Sequence, residues 1–282
     1  TEALLDLMAP THRLAVEDGM ATRLEPVGDG VRITVIDRRS LTERTVVARR
    51  VVLAAGSVAT TILLQRSGLL PGPAALDDTQ VFYAPLLSSR RPDRDGTRYS
   101  LAQMFATDVG TEHPSNRSFH LSIYESDPSF RARAAHLVGP VAKAIPQRLF
   151  QQMLAAIGFI PSQESGTVVV SRERDGILVT TRPAHTARAY VDTVIRAIRP
   201  DLATMGLHAI RRLIQVPEVG ASYHVGHLTC DSVTMVDVTS GRLTTTTAPI
   251  TVADGAALPA VLTGPVTLTM MANAYRIAMR HG

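Results

Sequence analysis

The sequence predicts an α/β protein with two parts: a parallel sheet with a three-stranded meander, and an α+β part built on an antiparallel sheet. Three observations support this. Alternating apolar and polar residues fill much of the first fifty positions. An apolar run at 51–55 then precedes a glycine and a segment with helical spacing, which is typical of a buried parallel strand. From residue 71 to 215, strand-like runs separated by turns that contain Pro and Gly indicate antiparallel pairing.

The first seventy residues are predicted to form a meander, a buried strand, a tight turn and a helix. Residues 12–17 have the pattern of a short strand, and residues 20–37 alternate on both sides of a Gly-Asp-Gly turn. A third run, 43–55, ends in the apolar segment, which we expect to be buried on both faces. The helix has Ser57 as its candidate N-cap and Gly68 as its candidate stop.

The middle of the chain is predicted to be α+β. A helical stretch is expected around residues 128–158, with breaks at its prolines, and an amphipathic pattern over 185–214 breaks near Pro200. The strand candidates are residues 79–87, 99–109, 118–125, 166–172 and 176–182.

The last 65 residues differ from the middle region in having a segment rich in Gly and His, a short apolar strand and a helix. Residues 220–231 form a segment rich in Gly and His, which we expect to be a loop. A short apolar strand then ends at Asp254 and Gly255, and a helix is expected to begin at Pro265. Because an open α/β sheet places ligand contacts where its strands end in small-residue turns, these segments are candidates for a binding site.

Composition excludes several classes of protein. The net charge is only +4 and no block of basic residues is present, so we expect no nucleic-acid partner. The longest apolar stretch is interrupted by charges and prolines, so we expect no membrane span. Cys230 is the sole cysteine, which excludes an internal disulfide and suggests a reducing, cytoplasmic location. The intervals between His224, His227, Cys230 and Asp231 match no familiar zinc pattern, so no metal is expected.

Three stretches together resemble the glucose–methanol–choline family of FAD-dependent oxidoreductases: ARRVVLAAGSVATTILLQRSG (48–68), SYHVGHLTC (222–230) and ITVADGAALPAVLTGPVTLTMMANAYRIA (250–278). They occur in the family's order and spacing. The resemblance implies a partial FAD-binding domain made of residues 1–70 and 216–282, with 71–215 as the substrate domain. It also implies oxidation of an alcohol or polyol by hydride transfer to FAD.

The resemblance also implies roles for individual residues. His224 matches the family's catalytic histidine, and a His is suited to taking a hydroxyl proton at neutral pH. His227 is a second candidate, although a structural role suits it as well. The positions that match cofactor contacts are Ala21, Ala55, Gly56, Asp254, Gly255, Pro265, Val266 and Thr267.

The sequence departs from the family pattern in two places. No G-x-G-x-x-G phosphate loop is present, so we expect an N-terminal FAD-binding fragment or a second chain to complete the site. The family's second catalytic position falls on Pro265 or Gly264, and neither has a side chain able to exchange protons. Thr263, Thr267 or His227 could replace it. Otherwise the chain is a non-catalytic or repurposed flavoprotein subunit.

Overall fold

The structure is a computed structural model, and it describes residues 15–90, 102, 104–107, 119–125, 152–222 and 224–281. Within these residues it has fifteen strands and three α-helices. The helices are α1 (Ser57–Arg66), α2 (Ala187–Thr204) and α3 (Thr267–His281). The strands are β1 (Gly19–Val27), β2 (Gly30–Asp37), β3 (Glu43–Ala48), β4 (Val51–Leu53), β5 (Ala74–Asp78), β6 (Val81–Ser88), β7 (Met104–Thr107), β8 (His120–Glu125), β9 (Met153–Phe159), β10 (Thr167–Glu173), β11 (Gly176–Arg182), β12 (Leu207–Ala209), β13 (Val225–Cys230), β14 (Val233–Thr234) and β15 (Ile250–Val252).

The predicted fold class is confirmed, since the chain is a sheet-dominated α/β protein with several antiparallel sheets and few helices. Strands β1, β2 and β3 form the predicted antiparallel meander, with a bulge in β1 between Ala21 and Arg23. The predicted strand over 12–17 is wrong for residues 15–17, which have no regular structure, and residues 12–14 lie outside the described residues. The first strand of the meander begins at Gly19.

Strands β4 and β15 pair in parallel, as expected for this part of the chain. The prediction that β4 is buried on both faces is wrong. Val51 and Leu53 are buried, but Val52 between them is 64% exposed. Successive side chains of a strand point to opposite faces, so one face of β4 has no cover from the described residues.

Helix α1 has a different N-cap from the predicted one. Gly56, with φ of 91°, precedes the helix and accepts the Thr60 N–H through its carbonyl, so Ser57 is the first helical residue. The Ser57 hydroxyl instead donates to the Val225 carbonyl at 2.5 Å. Gly68, with φ of 68°, ends the helix as predicted.

A five-stranded sheet in the order β11-β10-β5-β13-β14 carries the residues around position 224. The segment expected to be a Gly- and His-rich loop is largely strand, because β13 pairs with β5 over Val225–Cys230. Strand β5 escaped prediction, since its sequence, AALDD, lacks an alternating apolar pattern. One face of this central strand is nevertheless packed, since Ala74, Leu76 and Asp78 are fully buried, while Ala75 and Asp77 on the other face are partly exposed.

A second five-stranded sheet, in the order β12-β6-β9-β8-β7, lies against α2. The helix predicted to reach residue 158 is wrong over 153–158, where β9 pairs with β6 and β8; residues 128–151 lie outside the described residues. Gly158 allows this pairing, because a β-carbon there would overlap the Phe82 ring. Helix α2 also continues past Pro200 for one further turn, where the missing amide costs a single hydrogen bond.

Helix α3 begins at Thr267, two residues later than predicted. Val266 is its cap position, because its carbonyl accepts the Met270 N–H at 2.9 Å.

Two hydrophobic clusters fill the described part of the chain: one joins the meander, α1 and the first five-stranded sheet, and the other joins α2 to the second sheet. No described helix is long and apolar enough to cross a membrane.

Candidate active site

Thr79 joins the segment around His224 to the segment before α3. Its backbone N–H donates to the His224 carbonyl at 3.0 Å, and its hydroxyl donates to the Leu262 carbonyl at 3.5 Å. Gly226 brings the same two segments together, since a β-carbon there would lie 3.2 Å from Cγ2 of Val261. The structure therefore places these two predicted segments side by side, although they are more than thirty residues apart in the sequence.

His224 lies just before β13 with only 5% of its surface exposed. Its ring meets the Phe159 ring edge-on, with 5.1 Å between the ring centroids. Burial lowers the pKa of His224 below the ordinary 6.5, because the charged imidazolium loses its hydration. The imidazole is thus neutral at neutral pH, which is the form that can accept a proton.

Asp78 holds the loop that leads into His224. It is fully buried at the end of β5, and its carboxylate accepts the Gly220 N–H at 2.8 Å and the Ser222 hydroxyl at 3.4 Å. Burial raises the pKa of Asp78 to about 6, and these hydrogen bonds partly oppose the rise. Sequence patterns gave no signal for this role, because Asp78 lies in the strand that had no apolar alternation.

Asp254 ties together the two turns that follow the parallel strands. Its carboxylate accepts the Gly56 N–H at 3.1 Å, the Ala256 N–H at 3.0 Å and the Thr60 hydroxyl. Burial raises the pKa of Asp254, and these three donors oppose that effect. The amide of Gly56 is therefore occupied by the protein, so a cofactor contact at Gly56 would have to use its α-carbon or carbonyl.

Gly255 is required at a point where three segments meet. A β-carbon at Gly255 would lie 2.5 Å from Oγ of Ser57, 2.9 Å from the Val225 carbonyl and 3.2 Å from Sδ of Met270 on α3. Any other residue here would force apart the start of α1, the start of β13 and the first turn of α3. Gly255 is itself buried beneath these contacts.

A groove of about 630 Å³ opens at the N-terminal end of α1. This volume falls within the roughly 300–1,000 Å³ typical of small-molecule sites. The Asp254 carboxylate accepts the Gly56 N–H, but the first turn of α1 itself has no acidic residue, and among the described residues no side chain accepts its N–H groups, which can therefore bind an anion. The groove is lined by residues 55–59 and by Val168, Val179, Thr181, Val219, Gly220, Ala221, Ser222 and Val225.

His120 is a site residue that sequence analysis missed. A β-carbon on Gly264 would lie 3.7 Å from Cγ of His120, so the imidazole is next to the position that lacks a useful side chain. The His120 and Phe159 ring centroids are 5.6 Å apart. Added to the 5.1 Å between Phe159 and His224, this gives 10.7 Å as the upper limit on the separation of the two imidazoles. Burial lowers the pKa of His120 as well.

The alternation of β8 is visible in the sequence, but it does not show what His120 contacts until the strand is placed in its sheet. Strand β8 alternates, with Leu121 and Ile123 buried against α2, so His120, Ser122 and Tyr124 lie on its other face. Only the pairing of β8 with β9 puts this face beside Phe159.

His227 has a position that favours a structural role. Its Nδ1 is 2.8 Å from Oδ2 of Asp77, and its Nε2 is 3.2 Å from Oγ1 of Thr234. It also occupies a bulge in β13 with φ of 54°. Both ring nitrogens of His227 are therefore engaged by side chains.

The remaining predicted cofactor residues are distributed over two places. Pro265 and Thr267 are exposed at the start of α3, with Val266 buried between them, close to the Gly264–His120 contact. Ala21 lies in β1, which contacts the other end of α1: Leu24 of β1 donates its N–H to the Ser67 hydroxyl at 2.8 Å. Among the described residues no group of three or more His, Cys, Asp or Glu is arranged to hold a metal ion.

Comparison of the sequence with protein-family models and with curated proteins gives no match. Comparison of the structure gives weak likenesses. One is to CabE, an aromatic hydroxylase from angucycline biosynthesis, at 12% identity and a TM-score of 0.35 over 99% of this chain and 43% of that one. Another is to RebC-10x, described in native and K252c-bound forms, at 18% identity and a TM-score of 0.33 over 99% of this chain and 41% of that one. The chain thus spans less than half the length of either protein, and TM-scores this low establish no relationship.

Proposed function

We propose that this chain forms the catalytic half of a FAD-dependent oxidoreductase that oxidises the CH–OH group of a small alcohol or polyol. The observation that carries the proposal is the position of His224, a buried, neutral imidazole beside the segment that precedes α3. Thr79 bonds to both segments, so their relative position is set by the β5–β6 connection.

The groove at α1 is suited to part of a dinucleotide. Gly56 has φ of 91° and open space where a β-carbon would be, so a ligand can approach its backbone closely. The uncapped first turn of α1 can accept a phosphate, and the valines of the opposite wall can cover an apolar ring. When bound, the flavin supplies the acceptor for the carbon-bound hydrogen and its electron pair.

Residues of this chain would take up the hydroxyl proton of the alcohol. His224 accepts the hydroxyl proton on a ring nitrogen while the carbinol becomes a carbonyl. Phe159 orients the His224 ring and keeps water from one side of it. His120, whose ring also meets Phe159 edge-on and lies next to Gly264, supplies a second imidazole near the substrate, in place of the side chain that Gly264 and Pro265 lack.

The proposal includes a partner that completes the cofactor site, either an N-terminal FAD-binding fragment or a second chain. Within the described residues β4 pairs only with β15, and Val52 on its surface is 64% exposed. An added parallel strand would pair with the remaining edge of β4, and a helix packed on that sheet would cover Val52. Material in which a lone 30.3 kDa species carries a full complement of flavin would contradict this part of the proposal.

The decisive experiment uses the complex isolated from its native host, with its chains identified by mass spectrometry. We expect a panel of alcohols and polyols to include one that bleaches the flavin absorbance under anaerobic conditions. The variant His224→Ala should keep the flavin but bleach about 10²–10⁴ times more slowly. His185→Ala, at an exposed histidine outside the site, is the matched control and should bleach within about twofold of wild type.

The competing function is a non-catalytic or repurposed flavoprotein subunit, which the absence of a side chain at Gly264 favours. In that case the flavin remains oxidised with every alcohol, and His224→Ala changes nothing. Bleaching that survives unchanged in His224→Ala would show a flavin enzyme with a different base, and would reject the role of His224 alone.

A further inference from the structure

A small basic pocket lies at the edge of the second five-stranded sheet, and it shares no residue with the proposed active site. It is a cavity of about 210 Å³ between α2 and the edge strand β12. Three of the residues that line it are arginines: Arg196 and Arg199 from α2, and Arg211 from the short 3₁₀ helix that follows β12.

The three arginines lack carboxylate partners within the described part of the chain. Arg196 and Arg199 are three residues apart, so they lie on the same side of α2. The nearest acidic residue along that side, Asp192, forms an ion pair with Arg188 at 3.6 Å. The three arginine side chains are exposed, and a bound anion would offset the positive charge that they place around the cavity.

The pocket also has an apolar floor. Ile195, Leu202 and Leu207 line it and are almost completely buried. On one rim His208 is fixed by its Nε2 atom, 3.0 Å from Oγ of Ser89. A volume of 210 Å³ is below the roughly 300–1,000 Å³ of sites for drug-sized ligands, so a compact ligand fits better than a nucleotide.

We propose that this pocket binds a small phosphate monoester, with the phosphoryl oxygens on the three arginines and an apolar substituent over the leucines and isoleucine. Arginine forms paired hydrogen bonds with phosphate through its planar fork, so three of them give specificity as well as charge. The pocket would thus be a second ligand site on the substrate side of the chain. This proposal does not depend on whether the chain binds a flavin.

The test is isothermal titration calorimetry of the 282-residue chain with phenyl phosphate, inorganic phosphate and phenol at low salt. We expect phenyl phosphate to bind more tightly than inorganic phosphate, and phenol not to bind. Arg199→Gln and Arg211→Gln should each raise the Kd for phenyl phosphate about tenfold, which corresponds to one lost charge-assisted hydrogen bond. Arg174→Gln, on the exposed β10–β11 turn, removes the same charge elsewhere and should change the Kd less than about twofold.

Melting curves of each variant establish that the fold is kept, and Arg196→Gln replaces either variant that fails to fold. The proposal is overturned if phenyl phosphate shows no saturable binding up to about 10 mM. Equal weakening by Arg174→Gln would also overturn it, since the effect would then be one of net charge. So would a single-stranded oligonucleotide that binds this pocket more tightly than phenyl phosphate, which would indicate a nucleic-acid surface.

Discussion

Replacement of Asp78 by Asn tests whether a buried, partly neutral carboxyl supports the loop before His224. Asp78 is fully buried, and its carboxylate accepts the N–H of Gly220 and the hydroxyl of Ser222. An Asn amide can replace both contacts: its oxygen accepts the Gly220 N–H, and its NH₂ group donates to the Ser222 hydroxyl, which can still donate to the Thr79 carbonyl. The loop should therefore keep its conformation. What Asp78→Asn removes is the ability of residue 78 to ionise.

The magnitude follows from the pKa of Asp78, which burial raises from 3.8 to about 6. Between these values the folded protein retains a proton that the unfolded chain has lost, so stability falls as the pH rises through this range. The difference of about 2.2 in pKa, at 1.36 kcal/mol for each unit, corresponds to about 3 kcal/mol. At pH 4 more than half of the unfolded-state carboxyls have already ionised, so relative to wild type Asp78→Asn should be about 2.4 kcal/mol more stable at pH 7.5 than it is at pH 4.

The assay is urea denaturation of both proteins at several pH values between 4 and 7.5, followed by circular dichroism. Taking the difference between the two proteins removes the contribution of every other titrating group that does not interact with residue 78. Asp175→Asn, on an exposed turn, controls for the loss of one carboxylate. If the free-energy difference between wild type and Asp78→Asn stays constant within about 0.5 kcal/mol over this range, the argument from burial is refuted.

Three further predictions concern packing and pH. Thr60→Val removes a donor to the buried Asp254 carboxylate and should lower the free energy of unfolding by about 2 kcal/mol, measured by urea denaturation; a loss below about 0.5 kcal/mol would contradict the assigned bond. Gly158→Ala places a methyl group in the Phe82 ring and should cost about 1–3 kcal/mol, measured in the same way, with an unchanged stability counting against the pairing of β6 with β9. The rate of flavin bleaching by alcohol should fall to half its maximum below pH 6.5, because burial lowers the pKa of His224, and a midpoint above pH 7 would exclude this imidazole as the base.

The sequence predicted those elements whose patterns are local. The meander, the parallel strands β4 and β15, and the strand-like runs of the middle region follow from alternation and from apolar runs bounded by glycine. Proline and glycine rules were less dependable. Helix α2 continues through Pro200, because an exposed proline in the last turn removes only one hydrogen bond.

What the sequence did not reveal depends on contacts between distant segments. Strand β5, with the sequence AALDD, has no apolar alternation that would predict it, and it is a strand because it pairs with β10 and β13 from far along the chain. Residues 153–158 were predicted to be helical but form a strand, because they pair with β6 on one side and β8 on the other. Such pairing between distant segments overrides local propensity. Asp78 and His120 belong to the candidate site for the same reason: the sheets, and no local motif, bring them to it.

A loss of flavin bleaching at acid pH has two possible causes, protonation of His224 and protonation of Asp78, and a substitution can separate them. Asp78 gains a proton as the pH falls through about 6, and His224 gains one below 6.5, so the two protonations overlap. Protonation of His224 removes the base directly. Protonation of Asp78 instead weakens the charge-assisted hydrogen bond that holds Gly220 in the loop before His224. In Asp78→Asn only the first process remains, so an acid loss of bleaching that persists in this variant belongs to His224. If Asp78→Asn instead keeps its bleaching rate at acid pH, the pH dependence of the wild type comes from Asp78 and the loop that it holds.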